Sequence, residues 1–296
     1  MPELAAQVPT IATVGAELGR AAETLGAAGV AYPQREAAWF WEAAAGIPAG
    51  QVWLVREDRV APDAMRRFHG MIARRQTGMP FAYAAGQMSF RRLTLAIDER
   101  ALIPRPETEG LVELVLEWAA NRPGGVAADI GTGSGCIALS LALEGRFARV
   151  VATEPSPLAG ALARENVLRC GVPVPVDVRD GDLLEPLGHD RYRAIISNPP
   201  YLTDDEWLAL DSSVRAFEPR LALVSGADGL AATRALIAGA DRVLEPGGLL
   251  ALEIDERRAA AVRGLADACG WERIRIERDL FGRPRYALMN SRGRTS

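Results

Sequence analysis

The segment Asp129-Ile130-Gly131-Thr132-Gly133-Ser134-Gly135 follows a short apolar run and precedes a helical pattern that begins at Cys136. Its three glycines allow a tight turn and a close approach of the backbone to a ligand. The N-terminus of the following helix offers free N–H groups to a polar group of that ligand. Because position 136 is Cys, the spacing is not the G-x-G-x-x-G of dinucleotide-binding proteins, and a nicotinamide site is disfavoured.

Strand and helix patterns alternate on both sides of this turn. The predicted strands are Val126–Ile130, Val150–Thr153, Val174–Arg179, Ala194–Ser197, Leu249–Ile254, Glu272–Arg278 and Arg285–Asn290. The predicted helices are Thr108–Ala120, Cys136–Leu143, Pro157–Cys170, Gly229–Leu244 and Arg257–Gly270, with a turn at Pro246-Gly247-Gly248. Strands separated by helical crossovers predict an α/β fold with a doubly wound, mostly parallel sheet. In such folds ligands lie beyond the carboxyl ends of the strands.

The first 80 residues have no clear strand pattern and predict helices over Thr13–Leu25, Gln34–Ala45 and Pro62–Arg75, with Thr13 as an N-cap. From Phe81 to Ile103 the apolar residues alternate, which predicts a short hairpin. We therefore expect an N-terminal helical domain over residues 1–83, a hairpin linker over 84–103 and a second domain over 104–296.

The composition excludes several classes of protein. With 296 residues, 49% of them hydrophobic and 24% charged, the chain matches an ordinary globular protein of about two domains. A net charge of -4 argues against a partner held by a broad basic surface, such as duplex DNA. All 34 basic residues are Arg, which we attribute to coding bias rather than to a preference for bidentate anion contacts. The absence of Lys excludes Schiff-base and P-loop chemistry.

Cysteine usage and hydropathy predict the compartment. Cys136, Cys170 and Cys269 lack metal-ligand spacing, so we expect neither a metal site nor a disulfide framework. The sequence has no uninterrupted apolar run of about 18 residues, so we predict no membrane-spanning helix. The stretch from Met1 to Gly19 carries acidic residues and lacks a secretory pattern. We therefore expect a cytoplasmic protein that does not bind membranes.

Two further acidic positions follow predicted strands. Glu154, nineteen residues after Gly135, can accept hydrogen bonds from both hydroxyls of a ribose; the alternative is an acid that complements the following helix N-terminus. Asp182 and Leu183 follow the third strand and can meet the amino edge and the face of an adenine. The same two residues also suit a surface turn.

The segment Ser197-Asn198-Pro199-Pro200-Tyr201 is the most informative about chemistry. Two prolines after a strand fix φ twice, remove two donors and hold Asn198 extended. The Asn198 side-chain oxygen and the Pro199 carbonyl can then accept both hydrogens of a planar NH2 group, on which Tyr201 can stack. Methyl transfer to an amide or amino nitrogen needs two such acceptors. The lone pair of that nitrogen is delocalised until the acceptors rotate and polarise the NH2 group.

The glycine turn together with Asn198-Pro199-Pro200-Tyr201 resembles the class I S-adenosylmethionine-dependent methyltransferases that modify planar nitrogen. More narrowly, the chain resembles the release-factor glutamine N5-methyltransferases, the PrmC/HemK family. The resemblance covers almost the whole chain and also rests on Arg74-Arg75, Gly78, Pro80, Tyr83, Gly86, Phe90, Leu102–Glu109, Phe217–Leu223, Gly226, Asp228-Gly229-Leu230, Asp279-Leu280 and Gly282. Pro104–Glu109 is its more specific part, since ribosomal-protein relatives depart from it after the Pro-Arg pair.

The resemblance implies a Rossmann-like methyltransferase domain with a seven-stranded, mostly parallel sheet, after a substrate-gripping helical bundle and a β-hairpin. The implied cofactor is S-adenosyl-L-methionine, converted to S-adenosyl-L-homocysteine. The implied cofactor-binding residues are Asp129, Gly131, Thr132, Gly133, Ser134, Gly135, Glu154, Asp182, Leu183 and Asn198. The implied catalytic residues are Asn198, Pro199 and Tyr201. The implied substrate-binding residues are these three and Pro200.

The implied reaction is methylation of N5 of the glutamine in the Gly-Gly-Gln motif of class 1 peptide chain release factors, which tunes translation termination. We expect a monomer that does not bind nucleic acid directly. Two rival functions are an adenine-N6 nucleic-acid methyltransferase, which extracts its base from the stack, and a non-catalytic module that docks on release factors. The acidic charge disfavours the first, and the retained glycines, Glu154 and Asn198 disfavour the second.

Three positions depart from the family pattern. Glu154 stands where Asp is commoner. After the fifth strand the family usually has Glu-Ile-Gly, whereas this chain has Glu253-Ile254-Asp255, which we expect to alter local packing only. Phe281 replaces a small residue before Gly282. None of these departures lies in the Asn-Pro-Pro-Tyr segment.

Overall fold

A computed structural model describes residues 13–48 and 50–292 of the chain. They form two compact units, which divide between Gln87 and Met88. The division falls inside the expected linker 84–103, and the three-part scheme stays a prediction. Residues 1–12, which hold most of the stretch examined for a secretory pattern, lie outside the described residues.

The first unit is helical, as the sequence predicted. Its helices are α1 (Val14–Ala27), α2 (Pro33–Ala45), α3 (Pro62–Gln76) and α4 (Phe81–Ala85). Thr13 caps α1, since its side chain accepts a hydrogen bond from the Ala16 amide. The core contains Leu25, Phe40 and Phe68, all fully buried. The expected extended pattern from Phe81 is wrong for its first five residues, because they form one helical turn that ends at Gly86 with a φ of 71°.

The second unit contains a two-stranded hairpin and a seven-stranded sheet with helices. The hairpin strands are β1 (Gln87–Phe90) and β2 (Leu93–Ala96). The strands of the large sheet are β3 (Val126–Ile130), β4 (Arg149–Glu154), β5 (Val176–Asp180), β6 (Tyr192–Ser197), β7 (Leu244–Glu253), β8 (Glu272–Arg278) and β9 (Pro284–Asn290). The helices are α5 (Pro106–Ala119), α6 (Cys136–Glu144), α7 (Pro157–Cys170), α8 (Asp204–Leu208), α9 (Ser212–Phe217), α10 (Ala231–Gly239) and α11 (Ala259–Cys269).

The strand order in the large sheet is β5-β4-β3-β6-β7-β9-β8. The pairs from β5 to β7 are parallel, and β9 runs antiparallel to both β7 and β8. This confirms the predicted doubly wound, mostly parallel sheet. The chain moves outward from β3 to β5 and then returns to the other side of β3, so the topological switch point lies between β3 and β6, where open α/β sheets bind ligands.

Alternate residues of the central strands enter two hydrophobic cores, one on each face of the sheet. Ala127 and Ala152 pack on the face that α5, α6 and the hairpin cover. Ala128 and Val151 pack on the opposite face, beneath α10 and α11. Both faces are therefore buried, which explains why the strands appear as continuous apolar runs in the sequence.

Three details of the C-terminal half differ from the sequence-based expectation. The expected helix Gly229–Leu244 is shorter: α10 is followed by a 3-10 turn, and Leu244 already pairs with Tyr192 in the sheet. The Pro-Gly-Gly turn lies inside β7 as an irregularity, because the next pair is Ala194 with Leu249. Helices α8 and α9 were missed, since five or six residues are too few for a helical period to show.

Gly110 lets α5 pack closely against β9. A Cβ atom at this position would lie 2.9 Å from Cζ of Tyr286, whose hydroxyl donates to the Glu107 carbonyl at 2.7 Å. We expect Gly110→Ala to lower the free energy of unfolding by about 1–3 kcal/mol, because the ring must move.

Gly264, exposed on α11 with no atom near its own Cβ position, is the matched control. Gly264→Ala should raise the free energy of unfolding by up to about 1 kcal/mol through helix propensity. Urea denaturation of both variants measures the difference. Equal effects of the two substitutions would contradict the close packing.

Candidate active site

A cavity of about 450 Å³ opens at the carboxyl ends of the central strands in the second unit. Its wall includes ten of the residues that the sequence predicted: Gly131, Thr132, Gly133, Ser134, Glu154, Asp182, Leu183, Asn198, Pro199 and Pro200. Among the described residues that were predicted, Asp129, Gly135 and Tyr201 do not contribute to this wall. The fold therefore brings the glycine turn and the Asn-Pro-Pro segment to one cavity.

The glycine turn is a rigid loop fixed by the neighbouring strand. Gly131 and Thr132 donate their amides to the Thr153 carbonyl at 2.9 and 3.0 Å. Gly131 and Gly133 have φ angles of 71° and 56°, a region that L side chains rarely adopt. A Cβ at Gly131 would meet no atom within 4 Å, which leaves the backbone open to a ligand.

Asn166 also holds the turn, and the sequence analysis missed it. This residue is fully buried on α7, and its amide nitrogen donates to the Ser134 and Ala96 carbonyls at 2.9 Å each. Its oxygen accepts from the Ala96 amide at 2.7 Å. Asn166 thereby links the turn to the hairpin, and only its position inside an otherwise apolar helix face could have indicated this.

Asp129 lies beneath the glycine turn. Its Oδ2 accepts from the Thr132 hydroxyl at 2.5 Å and from the Ala138 amide at 3.0 Å, so the carboxyl joins the turn to α6. Burial, and to a smaller extent the charge of Glu154, raises the pKa of Asp129 to about 7. Oδ1 is buried and has no partner among the described residues. Its predicted contact with cofactor stays a prediction.

Glu154, the last residue of β4, lies on the cavity wall and supports two backbone turns. Its Oε2 accepts from the Gly133 amide at 2.8 Å and its Oε1 from the Ser156 amide at 3.0 Å. Burial raises the pKa of this carboxyl, and both backbone hydrogen bonds oppose that rise. Each oxygen retains a lone pair for a ligand hydroxyl. The ribose contact and the support of the helix N-terminus are therefore compatible functions of one side chain.

Leu183 has a strained backbone at the edge of the cavity. Its φ is 45°, unusual for a residue with a Cβ, and its carbonyl accepts from the Thr153 hydroxyl at 2.9 Å. Asp182 beside it is exposed on the cavity wall. Strain held in place by such contacts is typical of ligand-binding segments.

The Asn-Pro-Pro segment leaves β6 at the switch point. The Ser197 hydroxyl donates to the Ile130 carbonyl at 2.7 Å and ties the end of β6 to the end of β3. The Asn198 side-chain nitrogen donates to the Thr108 hydroxyl at 3.1 Å. Asn198 and Pro199 both line the cavity.

Tyr201 does not contribute to the cavity wall. Its amide donates to the Leu223 carbonyl at 3.2 Å, and burial raises the pKa of its phenol to about 12. The wall of the cavity contains Pro200 but not Tyr201. The predicted stacking of Tyr201 on a substrate amide stays a prediction.

Thr108 lines the cavity next to Asn198, and Glu253, which does not contribute to the wall, is hydrogen-bonded to Thr108. The sequence analysis identified neither as a site residue. The Thr108 hydroxyl donates to Glu253 Oε2 at 2.7 Å, and Thr108 and Glu253 are 2% and 1% exposed. Burial raises the pKa of Glu253 to about 7. The signal that could have revealed them was an acid at the end of an apolar strand and a threonine within Pro104–Glu109.

An ion pair connects two segments of the cavity wall. One nitrogen of Arg105 donates to both carboxylate oxygens of Glu218 at 2.7 Å, and the Glu218 side chain is 2% exposed. Arg105 and Pro219 lie on the wall. The pair thus holds the segment after the prolines against the start of α5.

Asp255, one of the departures from the family pattern, has local partners. It accepts from the Arg257 amide at 2.8 Å and caps a 3-10 turn over Glu256–Arg258. The Arg257 and Arg258 side chains neutralise its charge, and Arg257 beside it holds the pKa of Asp255 below its usual range against the opposing effect of burial. That this departure alters only local packing stays a prediction.

The described residues contain no cluster of His, Cys, Asp and Glu side chains that could hold a metal ion. Cys136 lies on the cavity wall, but burial raises the pKa of its thiol to about 12, so the thiol is protonated at neutral pH. Within residues 13–48 and 50–292, no helix has the length and apolar character needed to cross a membrane.

Comparisons with known proteins identify the family. The family model of the PrmC N-terminal domain matches residues 18–86, and that of the methyltransferase small domain matches residues 110–213. A release factor glutamine methyltransferase from Moorella thermoacetica is 41% identical over 277 residues, which are 93% of this chain and 98% of that protein. A second, from Cereibacter sphaeroides, is 39% identical over 268 residues, covering 90% and 95%.

The chain belongs to the release factor glutamine methyltransferase family. As a member of this family it is a methyltransferase that uses S-adenosyl-L-methionine. A methyltransferase structure from Pyrococcus furiosus shares the fold, with a TM-score of 0.53 and 21% identity over 69% of this chain and 91% of that one. The open space above Gly131 and the second lone pairs of Glu154 fit such a cofactor.

Proposed function

We propose that this enzyme transfers a methyl group from S-adenosyl-L-methionine to the side-chain amide nitrogen of the glutamine in the Gly-Gly-Gln motif of a class 1 peptide chain release factor. The observation that carries the proposal is the orientation of Asn198. Its nitrogen is held by Thr108 at 3.1 Å, so its oxygen is left to accept a hydrogen bond from a group in the cavity.

The cofactor half of the cavity is formed by the residues after β3, β4 and β5. Gly131 to Ser134 line the cavity and leave open space above Gly131 for the methionine part. Glu154 accepts the ribose hydroxyls, and Leu183 with Asp182 contacts the adenine face and its amino edge. When bound, S-adenosyl-L-methionine supplies an electrophilic methyl group on a sulfonium, and the carboxylate of Glu154 favours this cationic ligand electrostatically.

The substrate half uses Asn198 and Pro199. The Asn198 oxygen and the Pro199 carbonyl accept the two hydrogens of the glutamine amide and hold the nitrogen with its face toward the donor. Both acceptors become more useful as positive charge develops on that nitrogen during transfer, so they stabilise the transition state more than the ground state. The nitrogen then releases one proton to water, and no strong base is required.

The helical first unit is proposed to recognise the release factor. A release factor presents more glutamines than one, so selectivity needs contact beyond the cavity, and a standard interface buries about 800 Å² per partner. The exposed side chains of Tyr32, Trp53 and Leu54 in the helical first unit supply apolar surface for such a contact. We further propose that the enzyme acts in the cytoplasm as a monomer and does not bind nucleic acid directly.

Replacing Glu154 tests the cofactor assignment. Glu154→Ala removes the acceptor for the ribose and leaves the Gly133 amide without its partner, at a cost of about 1–3 kcal/mol. Affinity for S-adenosyl-L-methionine should therefore fall about tenfold or more, since about 1.4 kcal/mol corresponds to one decade. Titration calorimetry measures this.

Asp267→Ala, at an exposed position on α11, is the matched control and should bind as wild type. A thermal unfolding scan of each variant checks that the fold is retained. Wild-type affinity in a folded Glu154→Ala variant would refute the ribose assignment.

Labelling tests the function itself. The enzyme is incubated with methyl-labelled S-adenosyl-L-methionine and a class 1 release factor, and the labelled residue is mapped by mass spectrometry. We expect one methyl group on the glutamine of the Gly-Gly-Gln motif, and none after that glutamine is replaced by Glu. Label on a different residue, or on adenine in added nucleic acid but not on the release factor, would overturn the proposal.

In the same assay Asn198→Ala should lower turnover by about 10² to 10³, by analogy with loss of one preorganised polar contact, while cofactor affinity changes little. Asn198→Asp keeps an acceptor and should retain partial activity. Wild-type turnover of Asn198→Ala would rule out the proposed hydrogen bond between the substrate amide and Asn198.

A further inference from the structure

We infer that Thr108 and Glu253 are positioning residues for methyl transfer, which fix the Asn198 amide with its oxygen toward the substrate. The inference deepens the proposed function and rests on it. Thr108 lines the cavity, but its hydroxyl is engaged by Glu253 and by Asn198, so both residues act through Asn198: Glu253 holds Thr108, and Thr108 holds the Asn198 amide.

The number of protons in the hydrogen bonds from Glu253 through Thr108 to Asn198 fixes the orientation of the Asn198 amide. The Thr108 hydroxyl has one proton, and an ionised Glu253 can only accept, so that proton belongs to the 2.7 Å bond between them. The Thr108 oxygen can then only accept from its other neighbour. The group of Asn198 that faces it at 3.1 Å must therefore be the NH2, and the oxygen points the other way.

Orientation matters because the two ends of an asparagine amide have nearly the same shape and opposite polarity. With its oxygen toward the cavity, Asn198 accepts a hydrogen bond from a substrate NH2 group. If the Asn198 amide were rotated by half a turn, its NH2 group would face the NH2 group of the substrate, and the hydrogen bond between Asn198 and the substrate would be lost. Shape alone does not separate these two states, so a chemical partner has to do so.

Thr108 and Glu253 are themselves held in place by different elements. The Thr108 amide donates to the Arg105 carbonyl at 3.0 Å in the first turn of α5. Glu253 ends β7 and pairs in register with Tyr286 of β9, whose hydroxyl donates to the Glu107 carbonyl at 2.7 Å. Two hydrogen bonds therefore fix the start of α5 against the sheet, one from Thr108 to Glu253 and one from Tyr286 to Glu107.

The charge of Glu253 determines in which direction the hydrogen bonds from Glu253 through Thr108 to Asn198 are donated. The ionisable groups whose charges act on it from neighbouring elements are Arg105, Glu107, Cys136, Tyr201, Arg285 and Tyr286. Burial outweighs the arginines and raises its pKa to about 7. Below that pH a protonated Glu253 can donate to Thr108, whose own proton then becomes available to the Asn198 oxygen and favours the turned-over amide.

The experiment compares Thr108→Val, which keeps the shape and removes the hydroxyl, with Thr108→Ser, which keeps the hydroxyl. At saturating cofactor we expect Thr108→Val to lower kcat about 10- to 100-fold, because the Asn198 NH2 group loses its partner. Thr108→Ser should stay within about threefold of wild type, since the hydroxyl is retained. Affinity for S-adenosyl-L-methionine should not change in either variant.

Ser140→Ala is the matched control. Ser140 is a fully buried hydroxyl on α6 that donates to the Cys136 carbonyl at 2.8 Å and does not line the cavity. Its loss should leave kcat unchanged. A Thr108→Val effect that Ser140→Ala reproduces would be a general consequence of removing a buried hydroxyl and would overturn the inference.

A double-mutant cycle separates positioning from general stabilisation. In an Asn198→Asp background either side-chain oxygen is an acceptor, so turning the group over costs nothing. The loss caused by Thr108→Val should therefore shrink to less than about threefold in that background, which is strong non-additivity for residues in contact. An undiminished loss would contradict the positioning function.

The pH profile gives a second readout. In wild type we expect kcat to fall as the pH drops through about 7 and to be flat above it. Thr108→Val and Glu253→Gln should both lose this inflection, because each breaks the connection between Glu253 and Asn198. Burial also raises the pKa of Asp129 to about 7, but its contacts are with Thr132 and Ala138, so an inflection that came from Asp129 would persist in Thr108→Val and in Glu253→Gln.

The outcomes separate this inference from the proposed function. If wild type does not methylate the release factor, the proposed function fails. If wild type does so and Thr108→Val keeps both its kcat and its pH inflection, only the inference fails. If Thr108→Val does not fold, Glu253→Gln decides by the same readout: a retained inflection near pH 7 would overturn the inference.

Discussion

The parallel pairing of β3 with β6 is the constraint on which the rest of the site depends. Ile130 pairs with Ser197 in the sheet, and the Ser197 hydroxyl donates to the Ile130 carbonyl at 2.7 Å. Because these strands are distant in sequence but adjacent in space, the glycine turn after one and the Asn-Pro-Pro segment after the other share one crevice. A methyl donor bound by the first turn and an amide held by the second can then meet without rearrangement of the sheet, which supplies much of the advantage of an enzyme over solution.

Three buried carboxyl groups at the same edge of the sheet are used to hold other parts of the site. Asp129 fixes the glycine turn to α6, Glu154 fixes that turn and the start of α7, and Glu253 holds Thr108, which in turn holds Asn198. Burial raises the pKa of all three. Such groups destabilise an empty fold at neutral pH, since each folded-state pKa lies above its unfolded value and the stabilising proton is lost as pH rises. In the proposed complex, a cationic sulfonium ligand would offset part of this cost.

The sequence was sufficient for the sheet because the strands are apolar on both faces and most are followed by a turn or helix signal. It was also sufficient for ten of the thirteen predicted site residues to lie on one cavity, since they follow strands that a parallel sheet brings together. It could not distinguish Gly135, which caps α6, from the glycines that open to the cavity, because that depends on packing against Leu139 and Ala163. Thr108, Asn166 and Glu253 were missed for a related reason: each acts through a contact with a residue far away in the chain, and no local pattern records such a contact.

The central claim is that Asn198 and Pro199 hold a glutamine amide in line with a methyl donor bound at the glycine turn. A crystal structure of the enzyme with S-adenosyl-L-homocysteine and a peptide that contains the Gly-Gly-Gln motif tests this most directly. We expect the glutamine amide nitrogen to lie about 2.7–3.2 Å from both the Asn198 side-chain oxygen and the Pro199 carbonyl oxygen, with the Asn198 nitrogen still hydrogen-bonded to Thr108. A glutamine amide bound elsewhere in the cavity, or an Asn198 oxygen turned toward Thr108, would contradict it.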